Sequence, residues 1–347
     1  MKVKQVREAA ADWVRSRGSG LEQYCGAYIS GSTVGLPDDA DMPIGSDIDV
    51  MVVLNRDNLP MKPGKLLHQG VLVEISFLAL QQLSSPEAVL SSYHLAGGLR
   101  TDTIIDDPTG YLRKLQSEVS RHFAQKKWVR ARCEHVLQSI QNGLSSIPPA
   151  GPWHAPITSW LFPTGITTHV ILVAALRNPT VRLRYLAASR VLAADNRMAL
   201  YEKLLRLLGC ETISAQRVEQ HLQQLERTFD TAAAAARTLL PFSSDITAAA
   251  KPIIIDGSRV LIKQGNHREA VFWMMATFAR CHHIFTVDQP ELLPVYEPSF
   301  REMAADLGIY SFEDMAKRAR QTLNFLPELR QAAEQMIQAS EAEAHRS

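Results

Sequence analysis

The chain has 347 residues, and at a usual domain size of roughly 150 residues this length predicts two domains. Its composition, 46% hydrophobic and 21% charged, is ordinary for a globular protein. Its 37 Lys and Arg residues nearly balance 36 Asp and Glu residues, which argues against a nucleic-acid-binding protein with a strongly basic face. The four cysteines lie far apart, the first residues are charged, and no apolar run is long enough to cross a bilayer, so we expect a soluble cytoplasmic protein without a disulfide framework.

The predicted elements of the N-terminal part are one helix followed by strands. Apolar residues at helical spacing predict a helix from Val3 to Arg17, which Gly18 and Gly20 end. Strands are predicted at "CGAYIS", "DIDVMVVL" and "GVLVEISFLAL", and the turn-rich loop "NRDNLPMKPG" ends the second. A shorter strand is predicted at "TDTIIDDP".

After Gly110 the hydrophobic period becomes that of helices. The segment over 111–144 predicts one long amphipathic helix or a kinked pair, and "SSIPPAGPWHAP" is a Pro-rich joint. The remaining segments with a helical period run nearly to the end of the chain. We therefore predict two domains, an α/β domain over 1–110 and a helical domain over 111–347.

Asp47 and Asp49 lie in an otherwise apolar strand. Residues two apart in a strand share a face, so both carboxylates point the same way. Burying them unpaired would cost on the order of several kcal/mol, which predicts a cation between them. Mg²⁺ fits, because it prefers oxygen ligands and is usually bound by one or two carboxylates together with substrate phosphates.

Gly31 and Ser32 directly follow the preceding predicted strand. At such a position exposed backbone N–H groups and a serine hydroxyl can hold phosphate, particularly where a helix begins next. A turn is the ordinary explanation of an isolated Gly-Ser pair. Its place before an Asp-x-Asp strand favours the phosphate-binding interpretation.

Together, these motifs resemble the nucleotidyltransferase superfamily typified by DNA polymerase β. In this sequence Gly31-Ser32 is followed by fourteen residues and then Asp47-Ile48-Asp49, and Glu74 stands at the place of the family's third carboxylate. Among members, the chain looks most similar to the bacterial streptomycin and spectinomycin adenylyltransferases. The resemblance implies an α+β fold, in which a minimal nucleotidyltransferase domain, a mixed sheet with flanking helices, precedes an all-helical acceptor-binding domain.

The resemblance also implies metal-assisted nucleotidyl transfer. Asp47, Asp49 and Glu74 would bind one or two Mg²⁺ ions, and Gly31 and Ser32 would bind the phosphates of a nucleoside triphosphate, with ATP as the expected nucleotide. Glu74 could also act as the general base. The acceptor is expected to be a hydroxyl of a small molecule, such as an antibiotic, and neither nucleic acid nor a membrane is an expected partner.

Several alternatives stay open on the sequence alone. The acceptor could be a protein or tRNA, as for toxin–antitoxin nucleotidyltransferases, or the chain could be a catalytically silent nucleotide-binding regulator. A glycosyltransferase is disfavoured, because only 46 residues precede Asp47 and that class places a longer nucleotide-binding fold before its Asp-x-Asp motif. The helical domain has enough surface for a homodimer.

Basic residues cluster in two places where one or two of them could reach a triphosphate. A charge run is ordinarily a solvated helix face, but Arg guanidinium groups suit phosphate. The spacing does not single out one residue. The candidates are Arg113, Lys114, Arg121, Lys126, Lys127, Arg130 and Arg132 in the first cluster, and Arg177, Arg182, Arg184 and Arg190 in the second.

Overall fold

The computed structural model describes residues 1–43, 45–148 and 150–344, with side chains up to residue 339. Within this part of the chain, strands occur only in the N-terminal region. The strands are β1 (Tyr24–Ser30), β2 (Ile48–Leu54), β3 (Gly64–His68), β4 (Val71–Ala79) and β5 (Ile104–Asp106). The helices are α1 (Val3–Ser16), α2 (Pro86–Ser91), α3 (Tyr111–His122), α4 (Lys126–Leu144), α5 (His154–Gly165), α6 (Thr167–Ala174), α7 (Arg184–Ala194), α8 (Met198–Leu208), α9 (Ala215–Ala235), α10 (Gly257–Lys263), α11 (His267–Asp288), α12 (Leu293–Asp306) and α13 (Phe312–Ala344).

The described strands form one mixed sheet in the order β3-β4-β2-β1-β5. The central strands β2 and β4 pair in parallel, and every other neighbouring pair is antiparallel. Both β2 and β4 begin at the same side of the sheet, so the carboxylates near their first residues lie close together. The predicted α+β class, a mixed sheet with flanking helices followed by a helical region, is confirmed.

Helix α1 covers one face of the sheet. Its apolar stripe, which includes Val6, Ala10 and Trp13, packs against Ile48, Val50, Val52 and Leu54 of β2. Each fully buried large apolar side chain contributes about 1.5–3 kcal/mol. The alternate residues of β2 face the other way, and Val53 packs there against residues of α2 and α3.

The described chain divides into two compact units. The first, which we call the sheet unit, consists of Met1–His135 and Leu176–Pro179, and the second, the helical unit, consists of Val136–Ala175 and Thr180–Ser347. The division falls inside α4, and the short segment Leu176–Pro179 belongs to the sheet unit although helical-unit residues flank it in sequence. The boundary predicted at residue 110 stays a prediction.

Helix α11 forms the centre of the helical unit, where it packs against α5, α9, α10 and α12. The stretch His154–Ala174 is long and apolar enough to cross a bilayer, but 72% of its most apolar 18-residue segment is buried inside the protein. Such burial is typical of a core helix in a soluble protein. The stretch is also broken at Ile166, where α5 ends and α6 begins.

Most of the predicted elements are confirmed. Helix α1, strands β1, β2, β4 and β5, and the kinked pair α3 and α4 all lie where the sequence predicts them. Strand β3 is an addition to the predicted elements, because its five residues directly follow Pro63 in a segment whose composition is typical of a loop. Its pairing with β4 stabilises it as an edge strand of the sheet.

Candidate functional site

A row of four polar side chains crosses the sheet. The register pairs Lys65 of β3 with Glu74 of β4, Glu74 with Asp49 of β2, and Asp49 with Ser30 of β1. Directly paired residues on neighbouring strands point to the same face. Asp47 lies just before β2, and its ion pair with Lys65 places its carboxylate beside this row. The structure thus brings the three predicted carboxylates together.

Two lysines pair with two of these carboxylates. Lys65 Nζ lies 2.9 Å from Asp47 Oδ2 and also donates to Glu74 Oε2. Lys62 Nζ lies 2.8 Å from Glu74 Oε1. The Lys65 side chain is only 9% exposed, whereas that of Lys62 is 33% exposed. An ammonium group therefore lies between Asp47 and Glu74, two of the three carboxylates that the sequence predicts as metal ligands.

Asp49 is the third carboxylate of the cluster, and it makes neither a hydrogen bond nor an ion pair with any other described residue. Burial, together with the negative charges of Asp47 and Glu74, raises the pKa of Asp49 to about 8. Glu74 behaves in the opposite way. Burial alone would raise its pKa, but Lys65 and Lys62 lower it to about 2. In this arrangement Asp49 has no cation of its own.

Gly31 lies directly against Asp49. Its φ of +71° belongs to the left-handed region, and a Cβ there would lie 1.7 Å from Asp49 Oδ2. Only glycine fits this combination of backbone conformation and close approach. The Gly-Ser motif and the Asp-x-Asp motif, found separately in the sequence, are thus in contact in the structure.

Ser32 is exposed in the turn after β1. Its hydroxyl makes no hydrogen bond with another described residue, so it is available to a ligand. The residues Gly31–Thr33 form one turn of 3₁₀ helix and not the start of a longer helix. Phosphate binding at this turn would depend on local N–H groups and the hydroxyl and could not use a helix dipole.

Asn178 holds the segment Leu176–Pro179 against this turn. Its Nδ2 donates to the carbonyl oxygen of Gly31 at 2.6 Å, and Arg100 Nη1 donates to the carbonyl oxygen of Leu176 at 3.3 Å. Burial and the neighbouring Arg177 guanidinium both lower the pKa of Arg100. Neither Arg100 nor Arg177 pairs with a carboxylate of the described chain. Two arginines without anionic partners thus lie near each other in the sheet unit.

The other basic candidates of the sequence have different surroundings. Arg184 is buried in the helical unit, where its guanidinium stacks over Phe272 at 4.1 Å. Arg132 is buried in the sheet unit and donates to two backbone carbonyls. On the surface, Arg113 pairs with Asp102 and Arg121 pairs with Glu118.

Four residues of this region, Lys62, Lys65, Arg100 and Asn178, are absent from the set that the sequence predicts. The place of Lys65 opposite Glu74 depends on strand β3 and its register, which no pattern in the sequence predicts. No sequence pattern indicates Asn178 either, which is 147 residues from its partner Gly31.

The residues fit a divalent cation in part. Among the described residues, no group of three or more His, Cys, Asp or Glu side chains is arranged as a ready metal site. The available donors are all carboxylate oxygens, which suit Mg²⁺, and Asp49 is a carboxylate without a counter-ion. Asp47 and Glu74 would have to give up or share their lysine contacts to bind the same ion.

Comparison with known proteins leaves the family of the chain open. No family model and no curated protein matches it. A solved structure that is similar to it is that of a nucleotidyltransferase-like protein from Exiguobacterium sibiricum 255-15, with 14% sequence identity, a TM-score of 0.26, and coverage of 87% of this chain and 91% of the other. A likeness at this identity and TM-score does not define a function.

Proposed function

We propose that the protein is a Mg²⁺-dependent nucleotidyltransferase, which moves a nucleoside monophosphate from a nucleoside triphosphate, with ATP as the first candidate, to a hydroxyl of a small-molecule acceptor. The observation that supports this most is the contact between Gly31 of the Gly-Ser turn and the unpaired Asp49 carboxylate. A phosphate-binding turn and a cation-binding carboxylate must be adjacent if one ion is to bridge protein and triphosphate.

Each residue of the site has a proposed role. Asp49, with Asp47, would hold Mg²⁺, and the bound ion would neutralise charge on the triphosphate and on the leaving pyrophosphate. The turn at Gly31 and Ser32 would orient the phosphates. Arg100 and Arg177 are candidates to bind the phosphates, because both lack anionic partners within the described chain.

Glu74 needs a further condition to act in this reaction. With both lysines in place its pKa is about 2, and such a carboxylate is a weak base at neutral pH. A role of Glu74 as general base or metal ligand therefore requires that Lys62 and Lys65 move away from it. Small-molecule acceptors such as antibiotics fit the near-neutral charge of the chain better than nucleic acid does.

The experiment that tests this function is a calorimetric titration with non-hydrolysable analogues of ATP, GTP, CTP and UTP, with and without Mg²⁺. We expect Mg²⁺-dependent binding of at least one analogue and a loss of about tenfold or more in Asp49→Asn, because a charged group bound to an ion is removed. Asp41→Asn is the matched control, since Asp41 is 76% exposed and pairs with Lys2 outside the site. Wild-type affinity in Asp49→Asn would overturn the proposal.

A second candidate is a nucleotide-binding regulator without catalysis. The observation that favours it is the pairing of Asp47 and Glu74 with Lys65, which satisfies two of the three carboxylates without metal. Release of pyrophosphate from a bound nucleoside triphosphate, assayed with candidate acceptors and cell extract, separates the two functions. Labelled protein or tRNA in the extract would instead identify a macromolecular acceptor.

A further inference from the structure

Lys65 is the least exposed of the four ion-paired side chains in the carboxylate cluster. Its side chain is 9% exposed, against 18% for Asp47, 17% for Glu74 and 33% for Lys62. It contacts both Asp47 and Glu74, whereas Lys62 pairs with Glu74. The Lys65 ammonium therefore bridges two carboxylates at a place where a metal cation would otherwise bind.

The charges of the cluster show what a divalent cation would meet there. Asp47, Asp49 and Glu74 supply three negative charges when ionised, and Lys62 and Lys65 supply two positive charges. A divalent cation added with both lysines in place would leave an excess of positive charge in a partly buried site. Repulsion between the ion and the Lys65 ammonium would be strong there, because the surrounding protein screens charge less than water does.

We propose that Lys65 acts as a resident cation between Asp47 and Glu74, so that a divalent cation gains these carboxylates only by displacing the Lys65 ammonium. This role of Lys65 rests on the proposed function, because it regulates metal binding at the same site. Free cation binds weakly in this arrangement, and a nucleoside triphosphate favours loading by supplying phosphate oxygens to the cation and negative charge to the lysine.

The position of Lys65 allows such a displacement. Strand β3 lies at the edge of the sheet, so no further strand of the described residues pairs with its outer side. The lysine side chain is a flexible four-carbon chain that can carry its ammonium group to another partner without movement of the backbone. Asp49, which makes no ion pair with the described residues, supplies the first carboxylate for the entering ion.

The test is the affinity of Mn²⁺ for the full-length protein without nucleotide, measured by calorimetry for wild type and for Lys65→Gln. Glutamine keeps a polar side chain but removes the charge. We expect Lys65→Gln to bind Mn²⁺ at least about tenfold more tightly than wild type. The charge-conserving variant Lys65→Arg should stay near the wild-type affinity, and Lys62→Gln, which removes a more exposed lysine, should change the affinity less than Lys65→Gln does.

Thermal unfolding gives a second measurement if Lys65→Gln folds poorly. Without metal the variant should be less stable than wild type, because two partly buried carboxylates lose their shared counter-ion. Mn²⁺ should raise the Tm of the variant more than it raises that of wild type. Mn²⁺ affinity in Lys65→Gln equal to or weaker than that of wild type would overturn the inference. If wild type nevertheless binds nucleotide in a Mg²⁺-dependent way, and Asp49→Asn does not, the proposed function stays intact. If wild type shows no Mg²⁺-dependent nucleotide binding, the proposed function is overturned as well.

Discussion

At the scale of single residues, Gly31 is where the Gly-Ser motif contacts the Asp-x-Asp motif. Its backbone lies so close to Asp49 that a Cβ would lie 1.7 Å from the carboxylate oxygen, and its φ of +71° disfavours any other residue. The glycine therefore does two things at once. It lets the chain turn after β1, and it brings the turn within contact of the carboxylate that would bind the cation.

We predict that Gly31→Ala abolishes Mg²⁺-dependent nucleotide binding. The new methyl group must push the Asp49 carboxylate or the turn aside, and the left-handed conformation adds a cost of about 1–2 kcal/mol. The measurements are nucleotide titration by calorimetry and urea unfolding. We expect the variant to stay folded, because the displacement is confined to one turn and one side chain.

Gly70→Ala is the matched control for this variant. Gly70 also has a positive φ, +76°, but a Cβ at that position would meet no atom within 4 Å. Its substitution should therefore cost stability through the backbone alone and leave nucleotide affinity unchanged. Equal losses of affinity in the two variants would mean that backbone strain, and not the contact with Asp49, explains the effect.

Some residues of the site can be predicted from the sequence and others cannot. Gly31, Ser32, Asp47 and Asp49 could be proposed because their chemistry and strand positions follow local patterns, and Glu74 because the resemblance to the nucleotidyltransferase superfamily implies a third carboxylate on a later strand. The ion pairs of Lys62 and Lys65 with these carboxylates could not, because they depend on which strand lies next to β4 and in which register. Partners that pairing brings together from separate strands are not encoded in any short pattern.

Arg132 shows, at the scale of elements, why a basic run is a poor guide to phosphate binding. It lies on α4 and donates to the carbonyl of Leu90 in α2 at 3.0 Å and to the carbonyl of Phe123 at 2.8 Å. Both carbonyls are at or near a helix C-terminus, where backbone oxygens lack partners within the helix. The guanidinium also stacks over the Phe123 ring at 4.4 Å, and burial lowers its pKa to about 10. Arg132 thus holds α2, α3 and α4 together.

We predict that Arg132→Met lowers the free energy of unfolding by about 2–3 kcal/mol, since one buried and one partly buried carbonyl lose a charged donor. Nucleotide affinity of the folded variant should be unchanged. Urea unfolding and nucleotide titration measure the two effects, with Lys114→Met as control because Lys114 belongs to the same basic run but is exposed on α3. A folded Arg132→Met protein that no longer binds nucleotide would identify Arg132 as a phosphate ligand after all.

Strand β3 and helix α3 illustrate the two outcomes of prediction at this scale. Apolar residues at helical spacing identify α3, since Leu112, Leu115 and Val119 fall on one face and are buried. Strand β3 has no such signature. Its five residues are mostly only half-buried and begin at the Gly of a Pro-Gly pair, and they become a strand because β4 offers an unpaired edge.

At the scale of the whole molecule, the division into two units predicts which part of the chain changes in stability with pH and with divalent cations. Asp49 lies in the sheet unit, and its pKa in the folded state, about 8, exceeds the usual value of 3.8. A group whose pKa is raised on folding stabilises the protein below its unfolded pKa, and that contribution is lost as the pH rises through its folded pKa. The loss attributable to Asp49 therefore falls between about pH 4 and pH 8 in metal-free protein.

We predict that metal-free wild-type protein becomes less stable in the sheet unit, relative to Asp49→Asn, by at least about 1 kcal/mol between pH 5 and pH 8. Comparison with Asp49→Asn isolates the contribution of Asp49. His94, whose pKa is lowered by burial, contributes in the opposite direction, but it titrates in both proteins.

Segment-resolved hydrogen exchange, corrected for intrinsic rates at each pH, should show the loss of stability in β2 and β4 and not in α11. A divalent cation should reverse it more at pH 8 than at pH 5, because a larger fraction of Asp49 is already ionised at pH 8. A sheet unit whose stability relative to Asp49→Asn stays constant over this range would show that the Asp49 carboxylate is not the buried, uncompensated charge of the cluster.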